Sequence, residues 1–255
     1  MYSSVNKFIG LSEFKLYIDL GRWTEVELNK LILEASLIKD SGERIKFLSD
    51  FFIGLEYKES TLIGDNNTSE VLVVNLSGVD CFTFIDYIEA MRLSDSFGGF
   101  LKNLRHVRYR NSIVSYEDRR HFLTDWGDYR PATVSDVTEQ IGGGKAKDIL
   151  KVINLKEDGT AFLPGIGSHQ RKINYIPHEN ISGTVVGKLK TGDYAGIYSP
   201  MAGLDVSHVG IIIKDGKRVS FRHASSDSRY RKVIDQDFQS YIPGKPGLII
   251  LRPVG

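Results

Sequence analysis

The sequence predicts an α+β fold, with helices first along the chain and a mostly antiparallel sheet after them. Three observations support this prediction. Apolar residues recur at helical spacing in the first part of the chain, whereas short apolar runs typical of strands fill the last quarter. Between two of those runs, Asp215-Gly216 is typical of a β-hairpin turn. At 255 residues, the chain suits one large domain, or a main domain with an added subdomain.

The composition narrows the classes of function. A formal net charge of +1 gives no general attraction to nucleic acid or to a membrane surface. No run of about 18 apolar residues is present, so no transmembrane helix is expected. The single cysteine rules out an intrachain disulfide. The N-terminus has no apolar segment of signal-peptide length, which predicts a cytoplasmic protein if the chain is complete and a periplasmic or cell-envelope protein if a leader was removed.

Residues 12–55 are predicted to be helical. Thr24 and Glu27 have the spacing of a capping box, a hydroxyl three residues before a carboxylate. Two sets of apolar residues with helical spacing follow, Leu28, Leu31, Ile32, Ala35 and Ile38, then Ile45, Leu48, Phe51, Phe52 and Leu55. They indicate either two packed helices without chemistry or one wall of a substrate cleft. We take residues 1–60 as a helical extension packed on a catalytic domain of residues 61–255.

The rest of the chain is predicted to pass from helices to strands. A strand at 71–74 precedes a helix that begins near the cysteine, and a further helix is expected over 97–107. Residues 108–190 form a loop-rich insertion in which we expect short strands and binding loops. Later strands are predicted at residues 194–198, 206–213, 219–223 and 248–251, with a short helix within 235–242.

The only cysteine, Cys81, lies where a helix is predicted to begin. A turn-like Ser77-Gly78 step and the acidic Asp80 precede it, and apolar residues with helical spacing follow it. The positive end of a helix stabilises a thiolate, so this position favours a nucleophile. The alternative is that Cys81 is a small buried apolar residue, as a lone cysteine most often is.

A cysteine nucleophile needs a base, and the base needs a group that orients it. His208 and His223 both lie on predicted strands, on either side of the Asp215-Gly216 turn. A turn centred on that dipeptide places the two histidines opposite each other, where facing Cβ atoms are about 4.5–5.5 Å apart. This spacing allows His223 to hydrogen-bond the His208 imidazole; the alternative is two unrelated strand histidines. The remaining histidines of interest, expected on the surface or in loops, are His106, His169 and His178.

Several motifs resemble those of the NlpC-type papain-like cysteine hydrolases of bacterial cell walls. Residues 78–84, Gly-Val-Asp-Cys-Phe-Thr-Phe, resemble the Gly-x-Asp-Cys-x-x-Phe nucleophile motif of that family. Residues 207–211, Ser-His-Val-Gly-Ile, resemble its histidine motif, and residues 223–225, His-Ala-Ser, resemble its third catalytic position. The Gly-Asp step at 192–193 is similar to the step before its first core strand. The resemblance implies a papain-like core, in which a nucleophile helix packs on a mostly antiparallel sheet.

The flanking segments resemble one branch of these hydrolases, described as N-acetylmuramoyl-L-alanine amidase-like and formerly a domain of unknown function. The segments are residues 120–126, 175–177, 203–205 and 251–253. This resemblance covers residues 40–255. It implies hydrolysis of the amide between the lactyl group of muramic acid and L-alanine, in small released muropeptides. Ordinary members of the wider family instead cut between D-glutamate and a diamino acid.

The resemblance implies a catalytic role for each of the motif residues in this chain. Cys81 attacks the amide carbonyl, and His208 is the general base and then the acid for the leaving amine. His223 orients His208, and the backbone N–H of Cys81 donates to the oxyanion.

The second oxyanion donor is left open by the resemblance. The wider family often supplies a tyrosine about a dozen residues before the cysteine, but residues 58–80 contain no tyrosine. Asn75 and Ser77 are the candidates that the sequence offers in its place.

Five residues are candidates for substrate binding. Asp80 and Ser207 flank catalytic residues, at positions that in the wider family often hold the free amine end of a peptide; for Asp80 the alternative is a helix N-cap. His121, Asp125 and Trp126 would form a wall for sugar or peptide, since an indole offers a flat apolar face. The alternative for these three is a packed loop anchor.

Three other functions compete with the amidase. Cys81, His208 and His223 are zinc-ligand types, but no close pair such as Cys-x-x-Cys accompanies them, so we expect neither a metal nor a cofactor. A muropeptide-binding protein without activity, and an endopeptidase that cuts within the stem peptide, are the others. We expect a monomer that binds peptidoglycan fragments and neither binds nucleic acid nor inserts into a membrane.

Overall fold

The computed structural model describes residues 7–10, 14–128 and 132–255, which form two compact units. The first unit comprises the described part of Met1–Arg119 together with His223–Ile234. The second comprises the described part of Arg120–Arg222 together with Asp235–Gly255.

The first unit contains a small sheet and a set of helices. Its strands are β1 (Lys7–Gly10), β2 (Lys15–Asp19) and β3 (Val71–Asn75), and its helices are α1 (Glu25–Ser36), α2 (Ser41–Asp50), α3 (Cys81–Arg92) and α4 (Phe97–Arg108). Strand β2 pairs antiparallel with β1 and parallel with β3.

The N-terminal region is therefore not helical throughout, and this part of the prediction is wrong. Lys15–Asp19 alternates polar residues with Leu16 and Ile18, a period-two pattern that suits a strand and was absorbed into the helical segment. The two helices that follow are confirmed. The capping box at the start of α1 forms as predicted, because Glu27 N donates to Thr24 Oγ1 at 3.2 Å and Thr24 N donates to the Glu27 carboxylate at 2.8 Å.

Helix α3 is buried along most of its length rather than on one face. All residues from Thr83 to Arg92 are buried, polar ones included. The Arg108 guanidinium of α4 donates to Asp86 of α3 at 2.8 Å and to the Val73 carbonyl of β3 at 2.7 Å. Both charged side chains of this pair are 1–2% exposed. The pair thus ties α3 to α4 and to β3, an edge strand of the small sheet.

The second unit is built around an antiparallel sheet, as predicted. Its elements are α5 (Asp125–Asp128), β4 (Val134–Asp136), α6 (Thr138–Gly142), β5 (Lys147–Ile153), β6 (His169–Pro177), α7 (Gly183–Lys188), β7 (Tyr194–Tyr198), β8 (Val206–Asp215), β9 (Arg218–Ala224), β10 (Val233–Asp237), α8 (Phe238–Tyr241) and β11 (Gly247–Pro253). The strand order is β10-β9-β8-β7-β11-β6-β5, and β4 pairs with β11. The unit boundary falls within β9 and β10.

The segment predicted as a loop-rich insertion is more regular than expected. Strands β5 and β6 pair antiparallel over seven residues, from Lys147 opposite Tyr175 to Ile153 opposite His169. Exposed polar residues interrupt both strands, which is why the apolar pattern was weak in the sequence. His169 is exposed at the start of β6.

The β8–β9 hairpin forms, but its turn is one residue later than predicted. Asp215 pairs with Arg218, so the turn consists of Gly216 and Lys217, with Gly216 at φ +57°. The register is therefore shifted by two residues, and direct opposition of His208 and His223 does not follow from it. Because side chains alternate with period two, an even shift leaves unchanged the face to which each residue points.

The apolar core of the second unit lies against both faces of this sheet. One cluster of buried residues includes Ile176, Ile197, Ile212, Phe221, Phe238 and Ile250, and a second includes Phe122, Ile153, Ile173, Tyr198 and Ile249. Among the residues that the structure describes, no helix is long and apolar enough to cross a membrane.

The buried pair in the first unit gives a prediction for stability. Asp86→Ala leaves the Arg108 guanidinium buried without its carboxylate, which should cost about 3–5 kcal/mol in the free energy of unfolding. Urea denaturation measures this loss. The control is Asp148→Ala, because the Asp148 carboxylate is 61% exposed and lies 3.4 Å from Lys172. That exposed pair should cost about 1 kcal/mol or less, and equal losses in the two variants would contradict the account.

Candidate active site

Cys81 is the first residue of α3, as the sequence predicts. Asp80 caps the helix, because its carboxylate accepts from Thr83 N at 2.7 Å while its own N–H donates to Thr83 Oγ1 at 3.0 Å. The N-cap alternative for Asp80 is therefore present in the structure. The half-buried Cys81 thus lies at the positive end of the helix, where a thiolate is stabilised.

Gly78, three residues before the cysteine, allows two chain segments to approach closely. A Cβ atom at this position would lie 2.5 Å from Cδ of Lys58 and 3.1 Å from the Glu56 carbonyl oxygen. The Lys58 stem occupies the space that a side chain would need. The glycine of the motif thus permits the segment at 56–58 to run beside the residues that lead into α3.

Tyr57 is a further candidate for the site, one that the sequence did not reveal. It forms a parallel bridge with Val79, flanked by hydrogen bonds of 3.0 Å from Val79 N to Glu56 O and from Lys58 N to Val79 O. Tyr57 is half-buried, and no described residue hydrogen-bonds its hydroxyl. The sequence does carry a signal for this residue, because Tyr57 lies directly before the segment 58–80, which contains no tyrosine.

The electrostatics around Tyr57 connect it to the cysteine. Burial raises the pKa of the Tyr57 phenol, and the negative charges of Cys81, Asp80 and Glu59 raise it further, whereas Arg231 lowers it. The phenol therefore stays protonated at neutral pH and can donate a hydrogen bond close to the thiol.

Asn75 and Ser77, the two candidate oxyanion donors, are bonded to each other. The Asn75 side-chain oxygen accepts from Ser77 N at 3.0 Å and from Ser77 Oγ at 2.7 Å. Asn75 N in turn donates to the Tyr87 hydroxyl at 2.8 Å. These contacts build the turn that leads into α3, which supports a structural role for both residues.

The two candidate histidines lie in different units. His223 belongs to the first unit, near the end of β9, and is buried with 3% exposure. His208 belongs to the second unit, near the start of β8, where it is half-buried and its ring lies edge-on to Phe221 with centroids 6.1 Å apart. Ser207, beside it, is exposed, and its hydroxyl lies 3.5 Å from the Ile197 carbonyl.

The predicted wall residues of the second unit are mostly packed inside it. Asp125 is 6% exposed and its carboxylate accepts from Arg171 at 2.7 Å. Trp126 is 3% exposed and packs edge-on against Tyr194, with ring centroids 5.2 Å apart. Both observations favour the loop-anchor alternative for this pair. His121 is half-buried.

A buried lysine holds the loop that precedes β8. The Lys151 ammonium donates to the carbonyls of Ser199, Met201 and Leu204, the last two at 2.9 Å. Burial lowers its pKa, whereas the nearby Asp205 carboxylate raises it. Lys151 therefore fixes the β7–β8 loop close to His208, a role that the sequence did not reveal because it depends on three distant carbonyls.

Comparison with known proteins identifies the family. The model of the AmiA-like family, described as N-acetylmuramoyl-L-alanine amidase-like, matches residues 47–248. The chain belongs to the AmiA-like family. The match includes Cys81, His208 and His223, and family membership supports a hydrolase of the amidase type that acts on peptidoglycan-related substrates. No curated protein matches the sequence.

Solved structures share the fold of this AmiA-like protein. A Legionella pneumophila protein of the DUF1460 family gives a TM-score of 0.75 at 23% identity, covering 91% of this chain and 94% of that one. An N-acetylmuramoyl-L-alanine amidase from Bacteroides uniformis gives 0.69 at 23% identity, covering 84% and 99%. A Bacteroides fragilis protein named as a candidate xylanase gives 0.64 at 25% identity, covering 80% and 98%.

A zinc site was the alternative reading of Cys81, His208 and His223, and the described part of the chain offers no cluster of ligands for one. No group of three or more His, Cys, Asp or Glu side chains in residues 7–10, 14–128 and 132–255 is arranged to hold a metal ion.

Proposed function

We propose that this AmiA-like protein is a cysteine amidase that hydrolyses the amide between the lactyl group of N-acetylmuramic acid and L-alanine in small muropeptides. The observation that carries the proposal is the position of Cys81, the only cysteine, as the first residue of a capped helix within the family match. A helix start lowers the pKa of a thiol and so supplies the nucleophile. We further propose that the catalytic domain has an NlpC-type papain-like core, spans residues 61–255 and acts as a monomer, with Tyr57 supplied by the segment that precedes it.

The proposed reaction proceeds through an acyl-enzyme. The Cys81 thiolate attacks the lactyl carbonyl carbon, and the tetrahedral intermediate collapses as the C–N bond breaks. His208, protonated on taking the thiol proton, gives that proton to the leaving alanine nitrogen. Water, deprotonated by His208, then attacks the thioester and releases the sugar acid and free Cys81. His223 orients the His208 imidazole, so the proposal requires these two residues to act together.

Two donors are proposed for the oxyanion. The N–H groups in the first turn of a helix point out along its axis, so the backbone N–H of Cys81 suits one of them. The Tyr57 hydroxyl suits the other, because its raised pKa keeps it protonated and because the bridge to Val79 holds it beside the segment that leads to Cys81. Tyr57 thereby replaces Asn75 and Ser77 as the second donor that we propose.

Substrate contacts are proposed on both sides of the reacting bond. The second carboxylate oxygen of Asp80 has no hydrogen-bond partner among the described residues and suits an amine of the substrate, as does the exposed Ser207 hydroxyl. His121 is proposed to contact sugar or peptide. Asp125 and Trp126 are proposed to support the wall from within it, through the Arg171 ion pair and the Tyr194 contact.

Product analysis tests the reaction. The protein is incubated with a disaccharide-tripeptide, and the products are identified by mass spectrometry. The amidase proposal predicts intact tripeptide and free disaccharide, and no product with Cys81→Ala. Release of the diamino acid without L-alanine and D-glutamate would instead show an endopeptidase. Turnover that persists in Cys81→Ala would remove Cys81 from the mechanism, and binding without any product would indicate a muropeptide-binding protein.

The role of Tyr57 gives a separate prediction. Tyr57→Phe should lower kcat by about 10²–10³-fold with little change in KM, the usual loss on removing one oxyanion donor. The free energy of unfolding should be unchanged, because the hydroxyl has no partner among the described residues. The matched control is Tyr230→Phe, since Tyr230 is 39% exposed on the neighbouring segment. A kcat equal to that of the control would remove Tyr57 from the catalytic set.

A further inference from the structure

Arg231 has a disfavoured backbone conformation next to the proposed oxyanion donor. Its φ of +46° lies in the left-handed region, which residues other than glycine rarely adopt. Two backbone hydrogen bonds of 2.9 Å hold it there, from Arg231 N to Asp227 O and from Tyr57 N to Arg231 O. Strained residues of this kind cluster at functional sites. The strain fixes the direction in which the Arg231 side chain leaves the chain.

The Arg231 side chain is aimed at Tyr57 but has no anionic partner. Its guanidinium carbon lies 4.6 Å from the centroid of the Tyr57 ring. Arg231 is exposed, and within the described ranges no carboxylate or carbonyl accepts a hydrogen bond from its guanidinium. The cation–π contact orients the guanidinium and leaves its N–H donors open to an incoming group.

Two neighbouring cations differ from Arg231 in this respect. The Arg229 guanidinium is paired with Asp227 at 2.6 Å, and the Lys58 ammonium lies 3.5 Å from the Glu56 carboxylate. Arg231 is also the positive charge that acts on the Tyr57 phenol against three negative ones. Arg231 is therefore a cation beside Tyr57 with which a negatively charged ligand can pair directly.

We propose that Arg231 recognises a carboxylate of the peptide that leaves the substrate. The inference rests on the proposed function, because the substrate defines which charges are present. The sugar of a muropeptide is neutral once its lactyl carboxyl is in the scissile amide, so the negative charges lie on the peptide. The nearest one to the reacting bond is the α-carboxylate of the D-glutamate that follows L-alanine. A planar guanidinium matches a carboxylate with two parallel hydrogen bonds.

Binding by Cys81→Ala protein tests this recognition without relying on turnover. Titration calorimetry compares two disaccharide-tripeptides that differ only in the D-glutamate α-carboxylate, which one of them carries as an amide. The Cys81→Ala protein should bind the carboxylate form at least tenfold more tightly. In Cys81→Ala/Arg231→Gln that preference should fall to about one, because the guanidinium that distinguishes the two ligands is gone. Cys81→Ala/Arg229→Gln removes the same charge two residues away and should keep the preference.

The outcomes separate this proposal from the proposed function. Equal affinity for the two ligands, no measurable binding, or a preference that survives Arg231→Gln would overturn the recognition role. An equal loss for both ligands in Arg231→Gln would show that Arg231 only supports Tyr57. Failure of the amidase proposal has a different signature, since it appears as the absence of free tripeptide when wild-type protein is incubated with substrate. A carboxylate preference in binding could then still be measured.

Discussion

The capping of α3 by Asp80 is the constraint on which the rest of the site depends. The Asp80 carboxylate accepts from Thr83 N and the Thr83 hydroxyl accepts from Asp80 N, so the helix begins at Cys81 and not a residue earlier or later. A shift of one residue would rotate the thiol by about 100° around the helix axis. The following turns of α3 are buried, and its Asp86 pairs with Arg108 of α4. These contacts fix the direction of the α3 axis.

A parallel β-bridge between Tyr57 and Val79 brings Tyr57 and Arg231 to the start of α3. Tyr57 pairs with Val79 on one side, and its N–H donates to the Arg231 carbonyl on the other. Gly78 lets this segment approach, because any side chain there would overlap Lys58. A thiol, a protonated phenol and an exposed guanidinium thus come from three distant parts of the sequence. In the proposed reaction, the thiol attacks the amide carbonyl, the phenol donates to the oxyanion and the guanidinium pairs with a carboxylate of the leaving peptide.

The sequence predicted what local chemistry determines and missed what distant pairing determines. The helix starts at Thr24 and at Cys81 follow from side chains three residues apart, and both are confirmed. The β8–β9 hairpin was predicted, but its register was wrong by two, because Gly216 can take either central position of the turn. Tyr57 was missed, since its bridge to Val79 depends on a loop closing over many residues. The strand at Lys15–Asp19 was predicted as part of a helix, because five residues are too few to show a clear period-two pattern.

The most direct test of the account is to trap the acyl-enzyme. Wild-type protein is mixed with a disaccharide-tripeptide, quenched in acid within the first turnover, and examined by intact mass and peptide mapping. The account predicts a mass increase equal to the disaccharide acid less water, located on Cys81. A peptide fragment on Cys81 would show that a different amide is cut. Rapid product formation with no adduct on Cys81, in a quench series that resolves the first turnover, would contradict covalent catalysis by this residue.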